Sequence, residues 1–342
     1  MYRQPFYDNP PDDFPEPPLY DEPPDDYPSP PPRNDNNFHE SYEEEEEDPY
    51  EEVGRKFIAD VPIEGYVEYT YEIGSKGRNP CQFGGWIQHY AISEDGYTLY
   101  ACDVFNKRIQ IISLPDRKCI HSFTTTMPQY DFQARGISVL RGGNICVNCV
   151  GFDGTSRIGI FTKEGQLIRH FGQGEIGSSS AITVDSMDRI SVVDRRKMTI
   201  VTLSKNGKKL GAFSNPVKQD CLRICANSRG DLLIPDHLNN AVWYCDEHGN
   251  IKGKLKPPGG PAAGFMYPAG VAVDSHDNIF ICDVGNHSIA KFGQDGEYCR
   301  RVLTKADNSI WRPHDIVISK RGQVLISEVN KTYIKLFGYT SQ

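Results

Sequence analysis

A short polar turn between two apolar runs recurs six times in this chain at nearly constant spacing. Successive turns are 47, 45, 42, 48 and 44 residues apart. This period is typical of units of four antiparallel strands, which bury both faces only when copies stack side by side. The repeat therefore predicts an all-β fold, a six-bladed β-propeller. The six turns end at Gly96, Gly143, Asp188, Gly230, Asn278 and Gly322.

The fifth copy, from Pro268 to Gly293, shows the unit most clearly. Its apolar runs are Gly270 to Val273, Ile279 to Cys282 and Ile289 to Phe292. Asp, Asn and Gly separate the runs, and these residues supply the geometry and side-chain caps of tight turns. The copy therefore predicts a meander of short antiparallel strands.

The fifth copy carries the pattern P-x-G-[VI]-A-V-D, then I-[YF]-[VI]-x-D-x-x-N-x-x-[IV], which resembles the NHL repeat. The resemblance extends over roughly Tyr66 to the C-terminus. The second copy fits loosely, because its loop after Cys149 is long and lacks the usual Asp. The chain looks similar to the C-terminal propellers of tripartite-motif NHL proteins and of Brat. This resemblance implies binding of short single-stranded RNA through the loops of one propeller face.

Charge divides the chain into two parts. Residues 1–64 contain 20 acidic and 4 basic residues, whereas residues 65–342 contain 26 acidic and 33 basic residues. The first part is rich in Pro and Tyr and poor in aliphatic residues, so it cannot bury enough apolar surface to order itself. We expect residues 1–64 to be a disordered acidic tail and residues 65–342 to be the propeller. The acidic run Glu43 to Asp48 is either a solvated spacer or a decoy that competes with a polyanion.

The tail contains one recognisable ligand motif. Pro17-Pro18-Leu19-Tyr20 matches the P-P-x-Y ligand of WW domains, in which the prolines favour a polyproline II conformation. This motif supports an alternative function, a protein-interaction scaffold or adaptor that recruits a WW-containing ubiquitin ligase. The chain itself has no paired C-x-x-C motifs and no heptads, so it lacks the RING and coiled coil of the tripartite-motif relatives.

The segment Val67 to Ile73 alternates in side-chain type and precedes the first complete copy. A ring of blades leaves two unpaired edges unless its ends are joined. We therefore predict that this segment is the outer strand of the last blade, next to Tyr333 to Phe337.

Cations and aromatic residues concentrate in one set of loops. In a propeller, the loops between second and third strands share a face with the links between blades. Phosphates attract cations and splayed bases stack on rings, so this composition suits single-stranded RNA. Alternatively, the arginines form ion pairs and the aromatic rings pack between blades. The candidate RNA-binding residues are Lys76, Arg78, Phe105, Lys107, Arg108, Tyr130, Arg135, Phe152, Arg157, Arg195, Arg196, Lys197, Arg223, Tyr267, His287, Trp311, Arg312 and Lys331.

The sequence offers little for catalysis or for a cofactor. The predicted inner strands contain two histidines, His89 and His314, and we expect no third histidine or carboxylate beside them, whereas a catalytic zinc normally keeps three protein ligands. The pair Cys146 and Cys149 has no second pair nearby. We therefore expect neither an enzyme nor a bound metal. Acids that end strands, such as Asp283, are followed three residues later by Asn, and this repetition favours a loop-capping role.

The ten cysteines fall largely on predicted strands, which favours free buried thiols in a reducing compartment. The first residues lack the apolar core of a signal peptide, and no apolar run approaches 18 residues. We expect a cytoplasmic monomer without a membrane partner.

Overall fold

The computed structural model describes residues 66–125, 132–151, 154–179, 181–217, 221, 223–258, 264–308 and 310–340. These residues form strands, a three-residue 3-10 turn at Val104–Asn106 and a four-residue helix at Lys305–Asn308. In chain order, the strands are β1 (Tyr66–Ile73), β2 (Ser75–Lys76), β3 (Gln82–Phe83), β4 (Tyr90–Ile92), β5 (Thr98–Asp103), β6 (Arg108–Ser113), β7 (Lys118–Phe123), β8 (Phe132–Val139), β9 (Ile145–Gly151), β10 (Ser156–Phe161), β11 (Leu167–Phe171), β12 (Ile182–Val184), β13 (Ile190–Asp194), β14 (Thr199–Leu203), β15 (Lys209–Ser214), β16 (Cys225–Ala226), β17 (Leu232–Asp236), β18 (Ala241–Cys245), β19 (Ile251–Leu255), β20 (Pro268–Val273), β21 (Ile279–Asp283), β22 (Ser288–Phe292), β23 (Tyr298–Thr304), β24 (Pro313–Ile318), β25 (Val324–Glu328) and β26 (Ile334–Thr340).

Twenty-four of these strands assemble into six antiparallel sheets of four, which are the blades of a propeller, and β2 and β3 form a separate parallel pair. Blades 1 to 5 each use four consecutive strands, β4–β7, β8–β11, β12–β15, β16–β19 and β20–β23. Blade 6 consists of β24, β25, β26 and β1. The first strands of neighbouring blades contact one another around the ring, and the fourth strands are mostly exposed. The predicted six-bladed all-β propeller is confirmed.

The N-terminal strand closes the ring as predicted. Strand β1 pairs antiparallel with β26, with Tyr66 opposite Thr340 and Ile73 opposite Ile334. A second clasp lies near the ring centre, where the Tyr90 hydroxyl of blade 1 is 2.7 Å from the Asp315 carbonyl oxygen of blade 6. Closure therefore pairs an edge that would otherwise remain open.

The described residues form six hydrophobic clusters, one between each pair of neighbouring blades. The strands contribute alternate side chains to the two faces of each blade, so every sheet packs on both sides. Blades approach closely at Gly270, where a Cβ would lie 2.7 Å from the Asp315 Cα and from the His314 carbonyl oxygen. Glycine is required at this position because any side chain would separate blades 5 and 6.

Four outer strands begin one residue later than the sequence predicts, since the turn patterns predict starts at Gln166, Lys208, Asn250 and Glu297. The predicted start of β11 is Gln166, but the Thr162 N–H donates to the Gln166 carbonyl oxygen at 2.8 Å and makes Gln166 part of the turn. The same N–H to carbonyl bond joins Ser204 to Lys208 before β15, Asp246 to Asn250 before β19, and Gly293 to Glu297 before β23. In each case, the first residue of the predicted strand belongs to the turn before the strand, because its carbonyl oxygen accepts the hydrogen bond that closes the turn.

All ten cysteines lie in the described ranges and are free thiols, and six of them are buried. Burial raises the pKa of Cys149 and of Cys225 to about 12, so these thiols stay protonated. Within the described ranges, no helix has the length and apolar character needed to cross a bilayer.

Candidate polyanion-binding face and central channel

One propeller face, which we call the link face, consists of the loops between second and third strands and the links between blades. Among the residues of these loops whose side chains the structure describes, Glu175 is the only exposed acid, and the acids that end the strands, such as Asp194 and Asp283, are buried. Cations are far more numerous there. The exposed ones are Lys76, Arg78, Lys107, Arg196, Lys197, Lys256, Lys305 and Lys331.

The opposite face also carries many cations, but carboxylates accompany them. Arg229 lies 3.3 Å from Asp277, and Lys320 lies 3.7 Å from Glu94. Arg189 bridges Asp185 and Glu247, and Lys205 lies 3.4 Å from Asp188. Exposed carboxylates thus accompany the cations of the opposite face, whereas on the link face exposed cations outnumber exposed acids among the described side chains, a distribution that favours a polyanion.

The link before blade 1 lies next to the inner loop of blade 1, where an inner loop is one that joins the second and third strands of a blade. Three cations of these two segments, Lys76, Arg78 and Lys107, form a group that we call the cation corner. Asn106 holds the two segments together, because its Nδ2 donates to the Gly77 carbonyl oxygen at 2.9 Å. Lys107 has a left-handed backbone, with φ of 57°, that ends the 3-10 turn. The corner thus brings together predicted residues from two separate segments.

Phe105 adjoins the cation corner, and 51% of its surface is exposed. Its ring lies against Gly85, where an added Cβ would come within 2.4 Å of the ring, and the Phe105 Cβ would lie 2.7 Å from a Cβ added at Gly84. The lack of side chains at these glycines therefore makes room for Phe105. The exposed part of its ring lies next to the cation corner.

A second aromatic site, which we call the indole site, lies in the link before blade 6. Trp311 stacks on His287 with ring centroids 4.2 Å apart and planes 11° from parallel. Lys305 Nζ lies 4.3 Å from the indole centroid. The Arg312 N–H donates to His287 Nδ1 at 3.1 Å, and burial together with Lys305 and Arg312 lowers the pKa of His287. Trp311 remains 43% exposed.

A third basic group, Arg195, Arg196 and Lys197, occupies the inner loop of blade 3. The Lys197 Nζ donates to the Glu175 carbonyl oxygen at 3.1 Å, and Asp194 Oδ1 accepts the Lys197 N–H at 3.0 Å. A buried aspartate thus fixes a loop that displays these cations.

Several predicted residues are less accessible than a surface role requires. Arg157 and Arg223 are buried. Arg108 is held by Asp103 at 2.9 Å, and its side chain is 15% exposed. Arg135 is half-buried and donates to Gln133 Oε1 at 2.7 Å, and Tyr267 is also half-buried.

Other predicted residues cannot be placed. Tyr130, Phe152 and the WW ligand Pro17, Pro18 and Tyr20 lie outside the described residues. Sequence reasoning missed Lys305, which contacts Trp311 at the indole site. Its position in a link was the available signal, because every link begins and ends on the same side of the ring.

The central channel contains a polar cluster assembled from three blades, which we call the channel cluster. Arg223 of blade 4 lies 3.0 Å from Asp315 Oδ1, 3.3 Å from His89 Nε2 and 3.2 Å from His314 Nδ1. Its guanidinium also donates to the Gln88 carbonyl oxygen. The expectation that no carboxylate lies near these histidines is therefore wrong, because Asp315 directly follows His314 and binds the same arginine.

The channel cluster holds both histidines neutral. Burial lowers the pKa of His89 and of His314 well below the usual value, and the positive charge of Arg223 acts in the same direction. Both rings accept from Arg223, which requires an unprotonated nitrogen. More distant cations add to the effect, Arg135 near His89 and Arg312 near His314.

This arrangement predicts that acid weakens the fold. Below a pH of about 6.5 the histidines take up protons in the unfolded chain but not in the folded one. Between pH 7.5 and 5.5, we expect the free energy of unfolding to fall by about 1.4 kcal/mol per histidine. Urea denaturation at the two values measures the change. In His89→Gln the free energy of unfolding should fall by about 1.4 kcal/mol less than in the wild type. His248→Gln, which replaces an exposed histidine, should show the same fall as the wild type. An unchanged pH dependence in His89→Gln would contradict the prediction.

The Asp and Asn pairs of the inner loops act as the predicted caps. Asn106 donates to Asp103 Oδ2 at 2.9 Å, and Asn286 donates to Asp283 Oδ2 at 2.8 Å. The other oxygen of Asp103 accepts a backbone N–H from Gly84 at 3.0 Å. Within the described part of the chain, no group of three His, Cys, Asp or Glu side chains is placed to hold a metal ion.

Comparisons with known proteins agree with the architecture. The NHL repeat model matches residues 265–292, and a comparison with curated proteins found no significant match. A protein of unknown function from Bacteroides thetaiotaomicron VPI-5482 aligns with a TM-score of 0.60 at 18% identity, over 80% of this chain and 75% of that chain. Virginiamycin B lyase from Staphylococcus aureus aligns with a TM-score of 0.53 at 17% identity, over 75% of this chain and 85% of the lyase chain. The WD40 β-propeller domain of Doa1 aligns with a TM-score of 0.54 at 12% identity, over 79% of this chain and 82% of the Doa1 chain.

These solved structures share the fold with the chain, and at such low identity the likeness extends no further. The residues matched by the NHL model contain the last three residues of the link before blade 5 and the first three strands of that blade. The chain is therefore an all-β, six-bladed β-propeller whose fifth blade contains an NHL repeat.

Proposed function

We propose that the link face binds single-stranded RNA and that the protein acts in post-transcriptional control in the cytoplasm as a binding protein, not as an enzyme. One observation carries the proposal: in the described loops of this face, exposed cations greatly outnumber exposed carboxylates. Cations at phosphates provide affinity through counterion release, which needs no particular sequence. The proposal agrees with the role that the resemblance to tripartite-motif NHL propellers and Brat implies.

The aromatic residues favour a single strand over a duplex. Phe105 and Trp311 expose ring surface next to cations, and bases are free to stack on such rings only when they are unpaired. The two rings lie in different blades, so a strand that followed the cations could stack at more than one point.

Removal of the indole should weaken RNA binding selectively. We expect Trp311→Ala to lower the affinity for a fluorescein-labelled oligouridine about 10-fold, because one stacked base contributes about 1–3 kcal/mol. Fluorescence anisotropy measures the change. Affinity for heparin, a polyanion without bases, should stay within about twofold, since Lys305 and the other cations remain.

Tyr97→Ala is the matched control. Tyr97 is also partly exposed, and Arg321 covers its ring at 4.0 Å, but it lies on the opposite face. Its replacement should leave RNA affinity unchanged. Equal losses of RNA and heparin binding in Trp311→Ala would show that the ring does not stack on bases.

The adaptor function remains the alternative. It rests on the Pro17 to Tyr20 motif, which lies outside the described residues. An adaptor would retain its WW-domain partner after RNase treatment and lose it in Tyr20→Ala, whereas RNA binding by the link face would be unaffected by that substitution.

A further inference from the structure

The acid that ends the second strand of blade 6 is a glutamate, Glu328, whereas blades 1, 3, 4 and 5 have an aspartate at this place. In blades 1, 4 and 5, the aspartate pairs with an asparagine three residues later and caps the inner loop. The residue three positions after Glu328 is Lys331, so blade 6 does not contain this pair. The capping role that the other acids share therefore does not explain the glutamate.

Glu328 binds the backbone of the indole site. Its Oε1 accepts the Trp311 N–H at 2.7 Å. Aspartates make the same kind of bond in three other blades, to the N–H groups of Gly84 at 3.0 Å, Gly177 at 2.9 Å and Met266 at 2.7 Å. Of the four residues that are held in this way, Trp311 is the one with an aromatic ring, and it is 43% exposed. In blade 6, the strand-ending acid is thus bonded to a residue of the candidate RNA site.

The carboxylate of Glu328 is fixed by buried partners. Only 1% of its surface is exposed. Lys335 Nζ donates to Oε1 at 2.9 Å, and the Tyr333 hydroxyl donates to Oε2 at 3.2 Å. Because both carboxylate oxygens are held, the interior of blade 6 determines where Oε1 lies, and Oε1 in turn determines where the Trp311 N–H lies.

Two more hydrogen bonds hold the backbone next to the indole. The Val329 N–H donates to the Arg312 carbonyl oxygen at 3.0 Å, and the Arg312 N–H donates to His287 Nδ1 at 3.1 Å. Arg312 has a left-handed backbone, with φ of 48°, which an arginine keeps only when its surroundings hold it. The direction of the Trp311 ring therefore depends on the bonds that its backbone makes, and Glu328 makes the bond to Trp311 itself.

We propose that Glu328 is a positioning residue for the base-stacking surface of Trp311, and that the length of its side chain, rather than its charge, determines where the indole lies. This role rests on the proposed RNA-binding function, because a stacked base is the contact that the ring position serves. A binding group has to be held within about 0.5 Å of its productive position. Loss of one methylene would withdraw the carboxylate by up to about 1.5 Å, the length of one carbon–carbon bond.

Two substitutions separate the length of this side chain from its charge. Glu328→Asp keeps the charge beside Lys335 but shortens the side chain. We expect its affinity for oligouridine to fall about fivefold, less than the loss expected when the ring is removed, and its affinity for heparin to stay within about twofold. Glu328→Gln keeps the length and an oxygen that accepts the Trp311 N–H, so its oligouridine affinity should stay within about twofold of the wild type. Glu328→Gln should nevertheless unfold at a lower urea concentration than Glu328→Asp, because Lys335 would keep a buried charge without a counterion.

A double-mutant cycle tests whether Glu328 acts through the ring. In the Trp311→Ala background, Glu328→Asp should change oligouridine affinity by less than about twofold, because no ring remains to be positioned. Asp236→Asn changes the acid at the same place in blade 4 and is the control for general damage to the fold. It should leave oligouridine affinity unchanged.

An NMR measurement without RNA reports the position of the ring. In isotope-labelled full-length protein, the indole Nε1–H signal of Trp311 is identified by its absence in Trp311→Ala. This signal should shift in Glu328→Asp and should stay near its wild-type position in Glu328→Gln. If the wild-type protein does not bind oligouridine, the RNA-binding function fails, whereas the indole signal still decides the role of Glu328.

Three results would overturn the positioning role of Glu328. The first is an equal loss of oligouridine affinity in Glu328→Asp and Glu328→Gln. The second is a loss in Glu328→Asp that persists in the Trp311→Ala background. The third is an indole signal that does not move in Glu328→Asp.

Discussion

Arg223→Met should lower the free energy of unfolding by about 3–5 kcal/mol, the usual cost of removing one partner from a buried ion pair. Asp315 would be left as a buried carboxylate without its counterion, because the Arg223 Nε that lies 3.0 Å away would be gone. His89 and His314 would lose the donor that both rings share. Urea denaturation of the variant and the wild type measures the difference.

Two further variants test whether this fall in the free energy of unfolding comes from the buried ion pair. Arg141→Met removes an arginine that is also paired, with Asp188 at 3.5 Å, but the Arg141 side chain is 63% exposed, so its loss should cost at most about 1 kcal/mol. Arg223→Met combined with Asp315→Asn should be less destabilising than the sum of the single changes, because the uncompensated charge is removed. Equal losses in Arg141→Met and Arg223→Met would contradict a buried structural role for Arg223.

Charge reversal at the cation corner should weaken oligouridine binding about 100-fold near 0.1 M salt. Each phosphate neutralised on a single strand contributes about 0.7 to the slope of log affinity against log salt. Three lost contacts therefore correspond to about two decades of affinity at that salt concentration. The variant carries Lys76→Glu, Arg78→Glu and Lys107→Glu, and all three side chains are exposed.

The chain offers a control with the same change in net charge. Lys118→Glu, Lys208→Glu and Lys209→Glu reverse three exposed lysines outside the link face, at or next to the starts of two outer strands. This variant should retain affinity within about threefold, because distant exposed charges are screened at this salt concentration. Similar losses in both triple variants would show that net charge, rather than the link face, governs binding.

The fold was predictable from sequence because the propeller repeats one local pattern. Each polar turn fixes the pairing of the two strands beside it, and six copies at one period leave few other ways to bury their faces. Closure by β1 was also predictable, since the segment before the first complete copy alternates as an outer strand does. The strand-ending acids at Asp103 and Asp283 recur with an Asn three residues later, and repetition identified them as caps.

The channel cluster was not predictable in the same way. Arg223 is 134 residues from His89 and 91 residues from His314 in sequence, so no local pattern joins them. A repeat position places an arginine in a link but does not determine whether its side chain points to solvent or to the ring axis. Arg223 and Arg157 were therefore interpreted as surface residues, and their burial emerges only when the blades are assembled.

The cation corner shows what the repeat positions do determine. Lys76, Arg78 and Lys107 come from two loops that the propeller topology places on one face, and the bond from Asn106 to Gly77 brings them together. The strand-ending acids of that face are buried, a feature that composition does not reveal. The concentration of positive charge on one face is thus a property of the assembled ring.

The salt dependence of oligouridine affinity, measured by fluorescence anisotropy on the full-length protein, tests the RNA-binding proposal most directly. A link face that neutralises at least three phosphates predicts a slope of log affinity against log salt of about −2 or steeper. In the variant with all three cation-corner charges reversed, the slope should move towards zero by about 2. In the three-lysine control, the slope should not change. A slope near zero, or an equal change in the control, would contradict the account.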